Sequence, residues 1–242
     1  MNCCGIKIIA ERSWGYVVLL CIIKFLGAVL EAFSYILGAL LALYIFCAVA
    51  KAGEITIPRA AEQHKAVLTR AARDYWGLNA PVSVFAAQVH TESGWDSGAT
   101  SPVGAQGLAQ FMPATAKWLP SVMPGTGKPA PFNPGWALRA LCAYDRWLWG
   151  RTDGANDYER MAFVLSAYNG GLGWVIRDKA RASALGMDAS RWFGHVENVN
   201  AGRNRAAFAE NRQYPRRILE RQSAYIKAGW GPGIDAGGLP WK

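Results

Sequence analysis

The run from Trp14 to Ala50 constrains this chain more than any other feature, because of its 37 residues only Gly15, Lys24, Gly27, Glu31, Ser34 and Gly38 are not hydrophobic. Its last 19 residues, Ala32 to Ala50, carry no charge. At a rise of about 1.5 Å per residue they would cross most of a hydrocarbon layer about 30 Å thick, so the expectation is an N-terminal membrane helix. Lys24 and Glu31 are seven apart and share a face. Both are costly at a bilayer centre, which places the upstream part at the interface or against a partner. Two fates are open. The segment either stays as an anchor or is removed after Ala50, where Ala48-Val49-Ala50 has the small-x-small pattern of a signal-peptidase site.

The whole chain of 242 residues is 52% hydrophobic with a formal charge of +9. With residues 14–50 set aside, the remainder is about 46% hydrophobic, an ordinary level for a soluble domain and too high for a disordered polymer. The expected organisation is an N-terminal stretch 1–13, the apolar segment 14–50, a linker 51–60, a globular domain 61–230 and an irregular tail 231–242. Of Cys3, Cys4, Cys21, Cys47 and Cys142 only the last lies in the globular part, so no disulfide within that domain is expected. No cysteine pair has zinc-site spacing, and His64, His90 and His195 are scattered, so neither a metal nor a cofactor is expected.

The globular part reads as mainly α. Pro58 to Trp76 has helical spacing and stops at Gly77. Asn79 is expected to cap a second helix with Pro81 in its first turn, on which Val82, Phe85, Ala86 and Val89 fall at i, i+3, i+4 and i+7. Gly94 to Gly107 is a loop by composition, a helix restarts at Pro113, and the five prolines between 120 and 135 mark a surface excursion. Further helices are expected over about 136–149, 157–168 and 204–228. Strand-like alternation is almost absent.

Glu92 follows Phe85 by seven and Val89 by three, which puts a carboxyl group on the buried stripe of its helix. Desolvation disfavours the charged form, and this is how a glutamate is kept protonated near neutral pH to serve as a general acid. Periodicity alone leaves open a glutamate that reaches solvent from a frayed helix end. From Glu92 the chain continues Glu-Ser-Gly-Trp-Asp-Ser-Gly-Ala-Thr-Ser-Pro-Val-Gly-Ala-Gln-Gly-Leu-Ala-Gln-Phe-Met-Pro-Ala-Thr-Ala to Ala116. This resembles the signature of the soluble lytic transglycosylase (SLT) family, which has a goose-lysozyme-like catalytic domain, and Ala109 stands where that family most often has Met. Ala167-Tyr168-Asn169-Gly170-Gly171 resembles a second family element. Glu210-Asn211-Arg212-Gln213-Tyr214-Pro215-Arg216-Arg217-Ile218-Leu219 is similar to a third, with Asn211 in place of Thr and Pro215 in place of Val.

The resemblance implies a lysozyme-like α-helical domain with a substrate cleft, acting on peptidoglycan glycan strands without a cofactor. Glu92 would be the sole acid/base, cleaving the bond between N-acetylmuramic acid and N-acetylglucosamine to leave a 1,6-anhydro sugar. An ordinary glycosidase would need a second carboxyl about 5 to 9.5 Å away. Asp96 is nearest in sequence but reads as a turn residue. Ser101, Gln110 and Met112 would contact the sugar, Tyr168 would orient the catalytic carboxyl, Asn169 would hold its loop and Tyr214 would line the cleft. Ser93, Trp95, Gly104, Gly107 and Glu210 would support it.

A hydrolytic muramidase on the same fold and a non-catalytic wall-binding scaffold are the alternatives. Residues 203–227 hold seven basic and two acidic side chains, but no nucleic-acid motif accompanies them and none is expected to bind nucleic acid. Gly125-Thr126-Gly127-Lys128 is not a phosphate loop, since Val122 and Pro129 occupy two of its defining positions. A wall substrate implies a single-pass protein of the bacterial inner membrane, N-terminus cytoplasmic and domain periplasmic, with secretion, conjugation or phage lysis machinery as candidate partners.

Overall fold

The computed structural model describes residues 17–19, 21–27, 33, 35, 37–41 and 55–235. The chain divides into two units, Met1–Glu54 and Ile55–Lys242. In the first, every described residue is helical and exposed, including Val17, Ile22, Phe25 and Leu40. Trp14, Glu31 and the Ala48–Ala50 motif lie outside the described residues. Among the described residues no helix is long and apolar enough to cross a membrane.

The second unit consists of eight α-helices among its described residues: α1 (Arg59–Glu62), α2 (Lys65–Trp76), α3 (Val82–Ser93), α4 (Pro113–Val122), α5 (Pro134–Trp149), α6 (Asp157–Gly170), α7 (Leu172–Ala184) and α8 (Arg205–Lys227). Short 3-10 turns lie at Pro124–Thr126 and Val196–Asn198. Asn133, Asn156 and Asn204 cap α5, α6 and α8, each side chain accepting the backbone N–H three residues on. α3 is the centre of the core. Its residues Val82 to Val89 are all buried, so it is enclosed on every side, with Ser83 and Gln88 buried among the apolar residues, rather than carrying the single stripe that spacing suggests. α8 packs along both α3 and α6, and α5 packs on α2 and α6. Those packings bring the far end of the chain against the helix that carries Glu92.

Four local expectations change. The first predicted helix is two, α1 and α2, with Gln63 and His64 between them. Pro81, not Asn79, occupies the N-cap position of α3, and no side chain caps that end. Its Ser83 N–H instead donates to the Pro232 carbonyl at 3.0 Å, and the Ser83 hydroxyl donates to the Gly231 carbonyl at 2.7 Å. The stretch 231–235 is therefore packed rather than loose. Ile234 is buried and exchanges two hydrogen bonds with the Gln222 amide, at 2.6 and 2.8 Å.

The fourth change is α7, which starts where Gly171 closes α6. Its inward face carries Val175, Asp178 and Ala182, so a charged residue occupies the stripe that would otherwise mark it as a helix. Asp178 is tolerated there because its Oδ2 accepts from both Arg203 and Arg212.

Candidate active site

Glu92 sits in the last turn of α3, which Gly94 ends in the left-handed conformation (φ 61°). The following loop folds back over that end. Ser93 Oγ donates to the Leu108 carbonyl at 2.9 Å, and isolated bridges join Thr100 to Gln106 and Gln106 to Phe111. Ser101 Oγ accepts the Ala105 N–H at 3.0 Å. Gln110, itself at a positive φ of 46°, donates from Nε2 to the Gly107 carbonyl at 2.9 Å. Gly107 is required by space as well as by its φ of 70°, because a Cβ there would lie 1.9 Å from the Pro131 carbonyl oxygen. Gly104 takes the tight turn after Ser101 (φ 88°).

The loop, the end of α6 and the middle of α8 enclose a cleft of about 550 Å³. Glu92, Ser101, Gln110, Met112, Tyr168, Asn169, Glu210 and Tyr214, eight of the residues expected at the site, line it together. The orienting tyrosine is not the expected one. Tyr214 Oη donates to Glu92 Oε1, whereas Tyr168 Oη donates to the Ala109 carbonyl at 2.7 Å and so ties the loop to α6. Asn169 is fixed as a hydrogen-bonded relay: its Oδ1 accepts from Asn211 Nδ2 at 2.9 Å and its Nδ2 donates to Glu210 Oε1 at 3.4 Å. Asn211, where the resembled family has Thr, also donates to the Ser166 carbonyl and accepts from the Ser166 hydroxyl, so it joins α8 to α6 beneath the cleft.

Trp95 is not at the site. It is 2% exposed, donates from Nε1 to Tyr225 Oη at 2.7 Å and packs on Trp230 in the core. A spacing of three puts residues on one helix face only while the helix continues, and here it ends between them. Asp96 is exposed and accepts the Gly98 N–H at 2.8 Å, a turn role. The second carboxyl lining the cleft is that of Glu210. Sequence reasoning missed Tyr144 and Arg217, which also line it. Tyr144 lies in no motif, and Arg217 is visible only as part of the third block.

Burial drives the Glu92 carboxyl up to about 7, against the lowering effect of the Tyr214 hydrogen bond, and the nearby Glu210 charge adds to the rise. The same burial, reinforced by the carboxyl of Glu92, holds the phenols of Tyr168 and Tyr214 well above their usual value, so both stay neutral donors. Tyr144 is pushed up to about 12, chiefly by burial. Among the described residues no three His, Cys, Asp or Glu side chains come together as a metal site.

A helical domain holding one desolvated glutamate in an open, polar cleft has the architecture of lysozyme-like acid–base sites. Residues 71–190 match the Transglycosylase SLT domain. The chain is 31% identical over 117 residues to a membrane-bound lytic murein transglycosylase F of Pasteurella multocida, covering 48% of this chain and 22% of the relative. It is 28% identical over 154 residues to the protein of the same name from Haemophilus influenzae, covering 63% and 27%. A crystal structure of an inactive mutant of lytic transglycosylase Slt from Pseudomonas aeruginosa superposes with a TM-score of 0.51 at 25% identity, over 73% of this chain and 26% of that one. The chain thus spans about a quarter of the length of these relatives. Residues 71–190 thus form an SLT-family domain with a lysozyme-like fold.

Proposed function

We propose that this chain is a peptidoglycan lytic transglycosylase in which Glu92 is the single general acid/base. The observation that carries the reading is a carboxyl with a pKa near 7 facing a glycan-sized cleft, with one tyrosine hydroxyl donating to it. Protonated Glu92 gives its proton to the glycosidic oxygen between N-acetylmuramic acid and N-acetylglucosamine as the C1–O bond breaks. The carboxylate then takes the proton of the muramoyl C6 hydroxyl as that oxygen bonds to C1, closing a 1,6-anhydro ring and restoring the acid. The nucleophile belongs to the substrate and is already held at high effective concentration, so no enzyme carboxylate has to activate a water. The names of the relatives support this substrate and reaction.

Glu210 supports a second reading. A carboxylate lining the same cleft as the acid could serve as the base of a hydrolytic muramidase. Mass spectrometry of soluble products decides between them, since an anhydro terminus is one water lighter than a reducing one. Only reducing termini would overturn the transglycosylase reading. No loss of muropeptide release in Glu92→Gln would overturn both.

We further propose that residues 14–50 tether the domain to the inner membrane with the domain on the periplasmic side. The apolar composition of the segment and the "membrane-bound" name of the relatives support this. Protease digestion of intact spheroplasts tests it: the domain should be degraded from outside, and protection would refute the orientation.

A further inference from the structure

α4 continues past the catalytic cleft that its first residues help to line. Met112, at its N-cap, and Thr115, in its first turn, both face the cleft. Ala116 and Leu119 turn inward to the core. Trp118 follows Thr115 by three, so it stands on the same outer side of the helix, about 4.5 Å further along the axis. It lies two residues beyond the last position of the run that starts at Glu92, and no motif includes it.

Trp118 is 38% exposed, more than any other tryptophan among the described residues. A large apolar ring left in water on an ordered helix contributes little to the fold. Its contacts connect it to the cleft. The ring is perpendicular to Tyr144, which lines the cleft, with centroids 6.1 Å apart and an angle of 82°. It is perpendicular to Trp147 as well, at 5.0 Å and 88°. Tyr144 and Trp147 lie within 29° of parallel, so together they form a wall and Trp118 stands out from it. An edge-to-face contact covers at most one face of the indole, which leaves the other open. Trp147 offers no comparable surface, because the Arg151 guanidinium lies 3.8 Å from its ring centroid. The row Met112, Tyr144, Trp118 is therefore an apolar path that begins inside the cleft and ends on an open ring outside it. Met112, at 43% exposed, keeps that path accessible.

We propose that Trp118 is a specificity-determining residue: its open indole face carries a sugar ring of the glycan strand beyond those held in the catalytic cleft, so that the enzyme favours strands long enough to reach it. The inference rests on the peptidoglycan reading above. A strand that fills the cleft and continues past its end runs over α4, and the C–H face of a pyranose ring matches a flat, uncharged surface. Continuity with the cleft through Tyr144 selects the strand itself as the occupant. Trp118 has no part in the chemistry.

Trp118→Ala removes the platform, and Trp118→Phe keeps an aromatic ring there. Steady-state cleavage is measured on long uncrosslinked glycan strands and on the shortest oligosaccharide that the wild type cleaves. Trp118→Ala should raise KM on the long strands roughly tenfold with kcat unchanged, leave both constants on the short substrate unchanged, and Trp118→Phe should stay within about threefold of wild type throughout. A length preference that does not move, or an equal loss on both substrates, overturns the proposal. So does a Trp118→Ala protein that loses self-association in sedimentation while its length preference stays intact, since the ring then serves a second copy of the chain. If the wild type cleaves neither substrate, the function reading fails instead. The platform is then judged by equilibrium binding of the long strands to the wild-type and Trp118→Ala proteins, where equal binding or none overturns it.

Discussion

Replacing Glu92 by Gln should make the protein more stable at alkaline pH while abolishing its activity. A carboxyl that ionises near 4.5 in the unfolded chain and near 7 in the folded one binds its proton more tightly when folded. Between those values the native state holds the extra proton, so stability falls as pH rises through the window and the loss is complete above pH 7. At about 1.36 kcal/mol per pKa unit, the ionised side chain costs the wild-type fold about 3 kcal/mol at pH 8.5. Gln keeps the shape and can still accept the Tyr214 hydroxyl hydrogen, but carries no charge. Urea unfolding at pH 5 and pH 8.5 measures this directly. The stability difference, variant minus wild type, should grow by about 2–3 kcal/mol from the lower pH to the higher, because other titrating groups are common to both proteins and cancel. Parallel pH curves would refute the premise that this acid is desolvated. The same premise predicts that wild-type kcat/KM falls tenfold per pH unit above about 7, as the general acid is lost.

Three other expectations follow from the contacts. Tyr214→Phe removes the hydroxyl that stabilises the Glu92 carboxylate, which should move the alkaline limb of the pH profile upward and lower kcat roughly 10–100-fold, read from a pH–rate series. Gly107→Ala forces a Cβ against the Pro131 carbonyl at a positive φ and should cost about 2–4 kcal/mol, seen as a lowered Tm; an unchanged Tm would mean the loop does not approach residue 131 as described. Truncation after Ala228 discards buried Trp230 and Ile234 and should cost about 3–5 kcal/mol in denaturant unfolding, whereas a free tail would cost nothing.

What was legible in the sequence is what is encoded locally. The helix under Glu92 declares itself through Phe85, Ala86 and Val89, and the loop through Gly104 and Gly107, whose backbone angles few other residues adopt. Most expected cleft residues could be named because the matched blocks preserve their spacing. What stayed hidden depends on distant contacts. The partner of Glu92 lies 122 residues away on α8, and nothing near Tyr214 distinguishes its hydroxyl from that of Tyr168. α7 escaped notice because its buried face includes Asp178, an assignment that makes sense only once Arg203 and Arg212 are known to converge on it. Residues 231–235 read as a tail because Gly and Pro dominate them. Their anchors are single side chains, Ser83 and Gln222, and not a periodic pattern.

The division of labour between the two tyrosines follows from this geometry. Each phenol has one hydrogen to donate. Tyr168 gives its hydrogen to the Ala109 carbonyl and thereby holds the loop that carries Gln110 and Met112. Tyr214 gives its hydrogen to the acid. Removing the first hydroxyl should loosen the loop and raise KM without moving the pH profile. Removing the second should move the profile and kcat and leave KM nearly unchanged. Because both substitutions, Tyr168→Phe and Tyr214→Phe, delete the same atom from the same cleft, a matched pair of pH–rate series separates holding the substrate from tuning the acid. Identical profiles for the two variants would mean that the hydroxyls are interchangeable and that α8 does not set the protonation of Glu92.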